Sequence, residues 1–313
     1  MRGAKMLVSL SALELGATPF QVGVLAALFA AFPLVLAVYA GKVSDRIGVM
    51  KPIVGGSIML ALGLLVPLAG GGLAALMLCA TLVGLGHIFF HVSIHNLIGA
   101  YGDGEARTRN FATFALGASI SAFIGPSLAG LSIDGWGFRP THALLAGVAL
   151  MPAALILAYP RLVPPRAPHA HADKTGGSMA MLRNANLRRT LIMSGVTLTG
   201  IELFTFYFPV YGRSIHLSAT AIGLVMSSYA VAAFIVRMGM HRATRTLGEV
   251  GVLTASLFVA GATYMLVPLV SQAALLAVVA FLLAGGVVSL AERRVSSRAD
   301  GAAAITEQEE EDT

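Results

Sequence analysis

The sequence predicts an all-α membrane protein, a helical bundle of about nine or ten transmembrane spans in two repeated halves. Three observations lead to this fold class. Hydrophobic residues make up 57% of the 313 residues and charged residues only 12%, about half the share that a water-soluble domain carries. Uncharged runs, most of them close to the roughly 20 residues that cross a bilayer, alternate with short polar turns. Similar runs follow a polar stretch in the middle of the chain.

The apolar runs divide the chain into spans. The first, near 6–17, holds only about twelve residues and is too short to cross a bilayer. Longer runs follow near 20–40, 52–69, 73–100, 111–133 and 142–159, and then near 190–211, 218–240, 250–270 and 273–290. We therefore expect an N-terminal transmembrane half at 1–159, a cytoplasmic linker at 160–189, a C-terminal half at 190–290 and a polar tail at 291–313.

Positive charge is distributed unevenly between the two ends of these spans. Of the 21 Lys and Arg residues, only Arg139 and Arg213 fall in loops placed outside, and Arg2 and Lys5 precede the first span. The others lie inside, which is the asymmetry typical of membrane proteins. It predicts a multi-pass protein of the plasma (inner) membrane with both termini in the cytoplasm. No nucleic-acid partner is expected, because no basic cluster is interleaved with aromatic residues.

The second half repeats the first at an offset of 200 residues, from 18 to 218. Thr18 and Gly23 align with Ser218 and Gly223, and the basic turn at 42–46 aligns with 242–245. Short apolar segments can match by chance, but each copy runs from a polar turn through an apolar span to a basic turn. Such repeated halves are typical of secondary transporters.

The most informative motif is the charged turn Gly41-x-x-x-Asp45-Arg46-x-Gly48. It resembles the signature loop between the second and third helices of the major facilitator superfamily. The resemblance implies a transporter that works by alternating access, in which Gly41, Asp45, Arg46 and Gly48 form a conformational latch. From the residues alone, Asp45 could instead cap the next helix, where a negative group is favourable, or pair with a nearby Arg.

A second motif, in the fifth span, contains Gly125, Pro126 and Gly130. It is similar to the glycine-proline motif of the same family's antiporters, although Ser121 and Ala129 stand where that motif prefers glycine. The resemblance implies efflux of a small organic solute against protons, with uptake as the alternative. The family usually has twelve spans, so the second half is expected to be incomplete. A truncated product that does not transport is the competing interpretation.

Three histidines, His87, His91 and His95, recur every four residues along the fourth span. Four residues turn a helix by only about 40°, so the three rings lie on one stripe. Ionisable residues inside a span usually face a cavity or the bundle interior, and imidazole titrates near neutral pH. A proton or substrate path and neutral, hydrogen-bonded packing are both consistent with this stripe. A metal site is a weaker reading, because the stripe is too long for one ion.

Glu202 is a lone acidic residue inside the seventh span. A carboxylate there must be paired or protonated, which suits proton coupling or substrate binding but is also met by packing with a hydrogen-bond partner. Phe204, Phe206, Tyr207 and Phe208 follow it and could line an aromatic cavity or form an interface belt.

The expected partners are a small-molecule substrate, protons and the lipid bilayer, without a cofactor. The chain has no phosphate-binding glycine loop of the ATPase kind, and we expect a transporter rather than an enzyme.

Overall fold

The computed structural model describes residues 1–101, 104–160, 185–232, 234, 235, 262, 265, 272, 275, 276 and 278–280, which contain helices and no strand. The helices are α1 Arg2–Glu14, α2 Pro19–Ile47, α3 Met50–Ala69, α4 Leu73–Gly99, α5 Gly104–Trp136, α6 Phe138–Ala158 and α7 Ala185–Ser214, followed by α8 at Ala219–Ala232. Helices α2 to α6 are long and apolar enough to cross a membrane. The all-helical fold class is therefore confirmed. Most of the predicted linker, the tail and most of the last two spans lie outside the described residues.

The chain divides into two compact units. One consists of residues 1–170 and 205–227, and the other of residues 171–204 and 228–313. Within the first unit, α4 packs against α2 and α3, α3 packs against α6, and α1 packs against α5. This unit also contains the end of α7 and the start of α8, so residues from both sides of the predicted linker pack in one body.

The aligned residues Thr18 and Ser218 have the same local role, since each caps the helix that follows it. Thr18 Oγ1 accepts a hydrogen bond from the Gln21 amide at 3.3 Å, and Gln21 Oε1 accepts one from the Thr18 amide at 2.8 Å. This capping box starts α2. Ser218 Oγ accepts from the Ala221 amide at 3.1 Å and starts α8. The two copies of the sequence repeat therefore begin their helices with the same type of cap.

Two predicted boundaries are wrong by several residues. Helix α1 begins at Arg2 rather than near residue 6, so Lys5 lies inside the helix instead of preceding it. Helix α2 continues to Ile47, so the residues predicted as a charged turn are helical, and the chain turns only at Gly48, where φ is +83°. The 29 residues of α2 measure about 43 Å. Because the hydrocarbon core is only about 30 Å thick, its charged end can extend into water.

Candidate transport site

A carboxylate at the end of α5 caps the start of α8. Asp134 accepts hydrogen bonds from the backbone amides of Ala219 at 3.2 Å and Thr220 at 2.8 Å. The first amides of a helix have no partner within the helix and carry its partial positive charge. Asp134 therefore stabilises α8 and at the same time joins it to α5. Asp134 is not among the residues predicted from the sequence. A single carboxylate at the end of an apolar span is the pattern that could have indicated it.

About one helical turn away from this cap, α5 and α8 are in backbone contact. A Cβ atom on Gly130 would collide with the carbonyl oxygen of Ala219, and one on Gly223 would collide with that of Pro126. Small residues allow this approach between transmembrane helices. Pro126 and Gly130 of the antiporter-like motif therefore lie at the α5–α8 crossing, and Gly223 of the sequence repeat lies opposite them.

The third motif residue, Gly125, faces α1. A Cβ atom on Gly3 of α1 would collide with the carbonyl oxygen of Gly125, so α1 and α5 also cross in backbone contact. The glycine-proline motif therefore contacts two helices, α1 through Gly125 and α8 through the other two residues.

A serine pair continues the α5–α8 contact. Ser227 Oγ donates a hydrogen bond to the Phe123 carbonyl oxygen at 2.6 Å, and lies 2.7 Å from Ser127 Oγ. Because Ser227 uses its only hydroxyl proton on Phe123, Ser127 is the donor in the bond between the two serines. The side chain of Ser227 is fully buried, so both hydrogen bonds are shielded from water.

An ion pair joins α1 to α7 at the same end of the molecule. Arg213 donates to Glu14 Oε2 at 2.8 Å, and both side chains are about half exposed, at 52% and 50%. An exposed pair of this kind contributes about 0–1 kcal/mol. A cavity of about 240 Å³ is lined by both residues of this pair and by Asp134, so the ion pair and the α8 cap border the same space.

At the C-terminal end of α2, Asn96 of α4 contacts the signature motif. Its Nδ2 donates to Ser44 Oγ at 3.2 Å and to Asp45 Oδ1 at 3.4 Å. Helix α3 starts after Val49, whose side chain makes no capping hydrogen bond, and Asp45 itself lies in the last turn of α2. The sequence analysis did not single out Asn96.

Of the other residues of the signature motif, Gly48 is the one whose backbone conformation requires its residue type. Arg46 is exposed, and a Cβ atom on Gly41 would meet nothing within 4 Å. Gly48 is required for its positive φ of +83°, which other residues adopt rarely. Its conformation separates α2 from α3.

The three histidines form a continuous row of rings on α4, as their spacing predicts. The ring centroids of His87 and His91 are 5.2 Å apart, and those of His91 and His95 are 4.5 Å apart. His95 also contacts Phe114 of α5, at 4.9 Å between centroids. His87 lines a cavity of about 390 Å³ between α1, α3, α4, α5 and α6. Within the described part of the chain, no three His, Cys, Asp or Glu side chains are arranged to hold a metal ion.

Glu202 lies in the middle of α7, but its side chain is exposed. Of the aromatic residues that follow it, Phe204, Phe206 and Phe208 are buried, at 6%, 5% and 4% exposed, and Tyr207 is 56% exposed. The ring of Phe206 lies 5.6 Å from that of Phe29 on α2.

Comparison with known proteins agrees with this helical architecture. The family model of the Major Facilitator Superfamily matches residues 4–300. The chain belongs to this superfamily. It is accordingly an integral, multi-pass membrane protein from a family of transporters, which confirms the resemblance predicted from the sequence. A search of curated protein sequences finds no match to this facilitator.

Solved transporter structures share the fold of this facilitator at low sequence identity. The nucleoside transporter NupG is 13% identical, with a TM-score of 0.68 over 92% of this chain and 76% of that one. A bacterial homolog to the human lysosomal transporter Spinster, inward-facing and occupied, is 15% identical, with a TM-score of 0.62 over 92% and 69%. A peptide transporter in complex with alafosfalin is 16% identical, with a TM-score of 0.62 over 93% and 78%.

Proposed function

We propose that this facilitator moves a small organic solute across the plasma (inner) membrane by alternating access and exports it in exchange for protons. The carrying observation is the polar closure at the ends of α1 and α5. Asp134 is hydrogen-bonded to the first amides of α8, and Glu14 is paired with Arg213 of α7. Water can replace such contacts at a membrane surface, so breaking them costs little. Contacts of this kind can break and re-form in every transport cycle.

On the charge asymmetry of the sequence, we assign this closure to the outer side and the signature motif to the cytoplasmic side. In this assignment the contacts of Asp134 and Glu14 lie on the outer side of the first unit, and both termini are cytoplasmic. On the outer side, Asp134 holds α5 and α8 together. Gly41, Asp45, Arg46 and Gly48 act as the inner latch, which engages when the outer side opens.

The row of histidines supports coupling to protons. His87, His91 and His95 are in consecutive ring contact, and His87 borders a cavity. Imidazole can gain and lose a proton near neutral pH, so the row provides neighbouring proton sites along α4. Glu202, a carboxylate within α7, is proposed as a separate group for proton coupling or substrate binding.

The test is transport by purified protein in proteoliposomes loaded with a pH-sensitive dye and given an acidic lumen. The probes are uridine, alafosfalin and ethidium, which represent nucleosides, peptide analogues and lipophilic cations. We expect at least one probe to enter only under the pH gradient while protons leave the lumen, and a protonophore to abolish both movements. Solute and protons moving in the same direction would instead show coupled uptake. Gradient-driven movement equal to that in protein-free liposomes, for all three probes, would refute the transport proposal.

A further inference from the structure

A buried polar contact joins α1 to α6 at the end of the first unit that holds Glu14. Ser11 Oγ lies 3.2 Å from His142 Nε2, and these two residues are only 7% and 2% exposed. The backbone of Leu64 on α3 is a second neighbour of the ring, but His142 Nδ1 makes no hydrogen bond of regular geometry with any described residue. Buried polar atoms are rarely left in this state, so His142 has hydrogen-bonding capacity that the packed helices do not use.

The contact between Ser11 and His142 borders a cavity of about 280 Å³, which lies between α1, α3, α4 and α6. Glu14 follows Ser11 by three residues on α1, and Arg139 precedes His142 by three residues on α6. Each charged residue is therefore on the same face of its helix as the contact, about one turn nearer the helix end. Both charged residues also line the cavity, so the histidine lies beneath a charged entrance.

The charged residues around this cavity have partners other than His142. Glu14 pairs with Arg213 of α7 at 2.8 Å, and Arg139 donates a hydrogen bond to a backbone carbonyl oxygen of α3 at 2.8 Å. Asp134 of α5 binds the first amides of α8, and the residues of α3 and α4 that line the cavity carry no charge. Within the described part of the chain, the imidazole therefore has no ion-pair partner.

Protonation of His142 has opposite consequences for a closed and an open cavity. A neutral imidazole has one N–H group and one lone pair, and the Ser11 hydroxyl can donate to the ring or accept from it. A charge buried without a counter-charge is costly, so the protonated ring favours a conformation in which the cavity widens and water reaches it. Because imidazole titrates near neutral pH, opening should become more favourable as the pH falls through that range.

We propose that His142 binds the exchanged proton from this cavity, on the side assigned to the outside, and that the bound proton weakens the contact between α1 and α6. The inference rests on the proposed proton exchange and adds to it a binding residue outside the histidine row of α4. The proton comes from water in the cavity, binds the ring nitrogen that carries the lone pair, and leaves from the same nitrogen.

The experiment measures opening of this cavity against pH in lipid nanodiscs, without transport. Leu76 is 2% exposed and lines the cavity, so Leu76→Cys on the Cys79→Ala background reports opening through its reaction with a pyridyl disulfide. Each rate is divided by that of glutathione at the same pH. From about pH 8 to about pH 5, on either side of the ordinary histidine pKa of about 6.5, the corrected rate should rise. We expect a rise of about fivefold or more, because a difference of one pKa unit between the closed and open states corresponds to tenfold.

Three variants separate titration of His142 from the loss of a contact. His142→Gln can still hydrogen-bond to Ser11 but binds no proton, so its corrected rate should change less than about twofold over this range. Ser11→Ala breaks the same contact and keeps the imidazole, so it should react faster at both pH values and retain the pH dependence. His216→Asn is the matched control. His216 is an exposed histidine of the first unit, and asparagine suits its φ of +60°, so this variant should behave like the parent.

Two results would overturn the inference. One is a corrected rate that does not change with pH in the parent. The other is a pH dependence that persists in His142→Gln, and its loss in Glu14→Gln would then assign the response to that carboxylate. His142→Asn replaces His142→Gln if the latter does not fold.

The proposed transport function fails separately, in the proteoliposome assay. Proton-coupled transport that is unchanged in His142→Gln removes only the proton site at His142. A pH-dependent opening that requires His142, without gradient-driven transport, removes only the transport proposal.

Discussion

Substituting Asp134 by alanine should open the α5–α8 contact, because it removes both hydrogen bonds to the first amides of α8. A hydrogen bond to a charged group contributes about 1.5–3 kcal/mol when shielded. Asp134 is exposed, so solvent reduces this to the range of an ordinary helix cap, about 1–2 kcal/mol for the pair. Since about 1.4 kcal/mol corresponds to a factor of ten, the open population should rise about 5- to 30-fold.

Cysteine labelling can measure this change directly. Ile222 is 0% exposed and lines the cavity beside Asp134, so Ile222→Cys reports opening of that cavity. The native Cys79 is the free, buried cysteine of the described residues and is replaced by alanine in the background. In nanodiscs, where a maleimide reaches both faces, Asp134→Ala should speed labelling of Cys at 222 about 5- to 30-fold.

Thr18→Ala is the matched control. Thr18 caps α2 through a hydrogen bond of the same kind, accepted from the Gln21 amide, and it lies outside the α5–α8 contact. Ser218 is kept, because its side chain also interacts with Asp134. Thr18→Ala should change the labelling rate less than twofold, while Asp134→Asn, which keeps one acceptor oxygen, should lie between Thr18→Ala and Asp134→Ala. Equal acceleration in Asp134→Ala and Thr18→Ala would refute the reasoning, because the loss of any helix cap would then have the same effect.

Three further predictions concern the same helices. Gly223→Ala places a Cβ against the Pro126 carbonyl oxygen, so transport in proteoliposomes should fall at least severalfold with normal membrane insertion; full activity would contradict the backbone contact. Glu14→Gln should lower the free energy of unfolding by less than about 1 kcal/mol, and exchanging Glu14 and Arg213 should restore it in chemical denaturation; a larger loss would contradict a screened pair. Glu202→Gln should abolish proton-driven transport at unchanged membrane level, and unchanged gradient-driven transport would remove Glu202 from the mechanism.

The fold class and the spacing of the histidine row could be predicted because both depend on local periodicity. Uncharged runs of about 20 residues identify the membrane helices, and a four-residue step fixes one face of a helix. The same local reasoning found Thr18 and Ser218 as equivalent positions, and both are N-caps in the structure.

The closure between helices could not be predicted from local pattern. Asp134 and Ala219 are 85 residues apart in the chain, and nothing near either residue indicates the other. The error at Lys5 has a related cause. A positive charge at the edge of an apolar run predicts a position before the helix, whereas Lys5 lies within α1, with its Nζ 5.3 Å from the centroid of the Phe206 ring.

The glycine crossing of α5 and α8 has a mechanical consequence. At Gly130 and Gly223 the two helices meet through backbone atoms. At this point one helix can rotate against the other without any glycine side chain having to unpack or change rotamer. Such a point is a fulcrum. The 33-residue helix α5 extends about 39 Å from Gly130 to its first residue. A rotation of about 10° at the fulcrum would therefore move that far end by about 7 Å, roughly the width of a small solute.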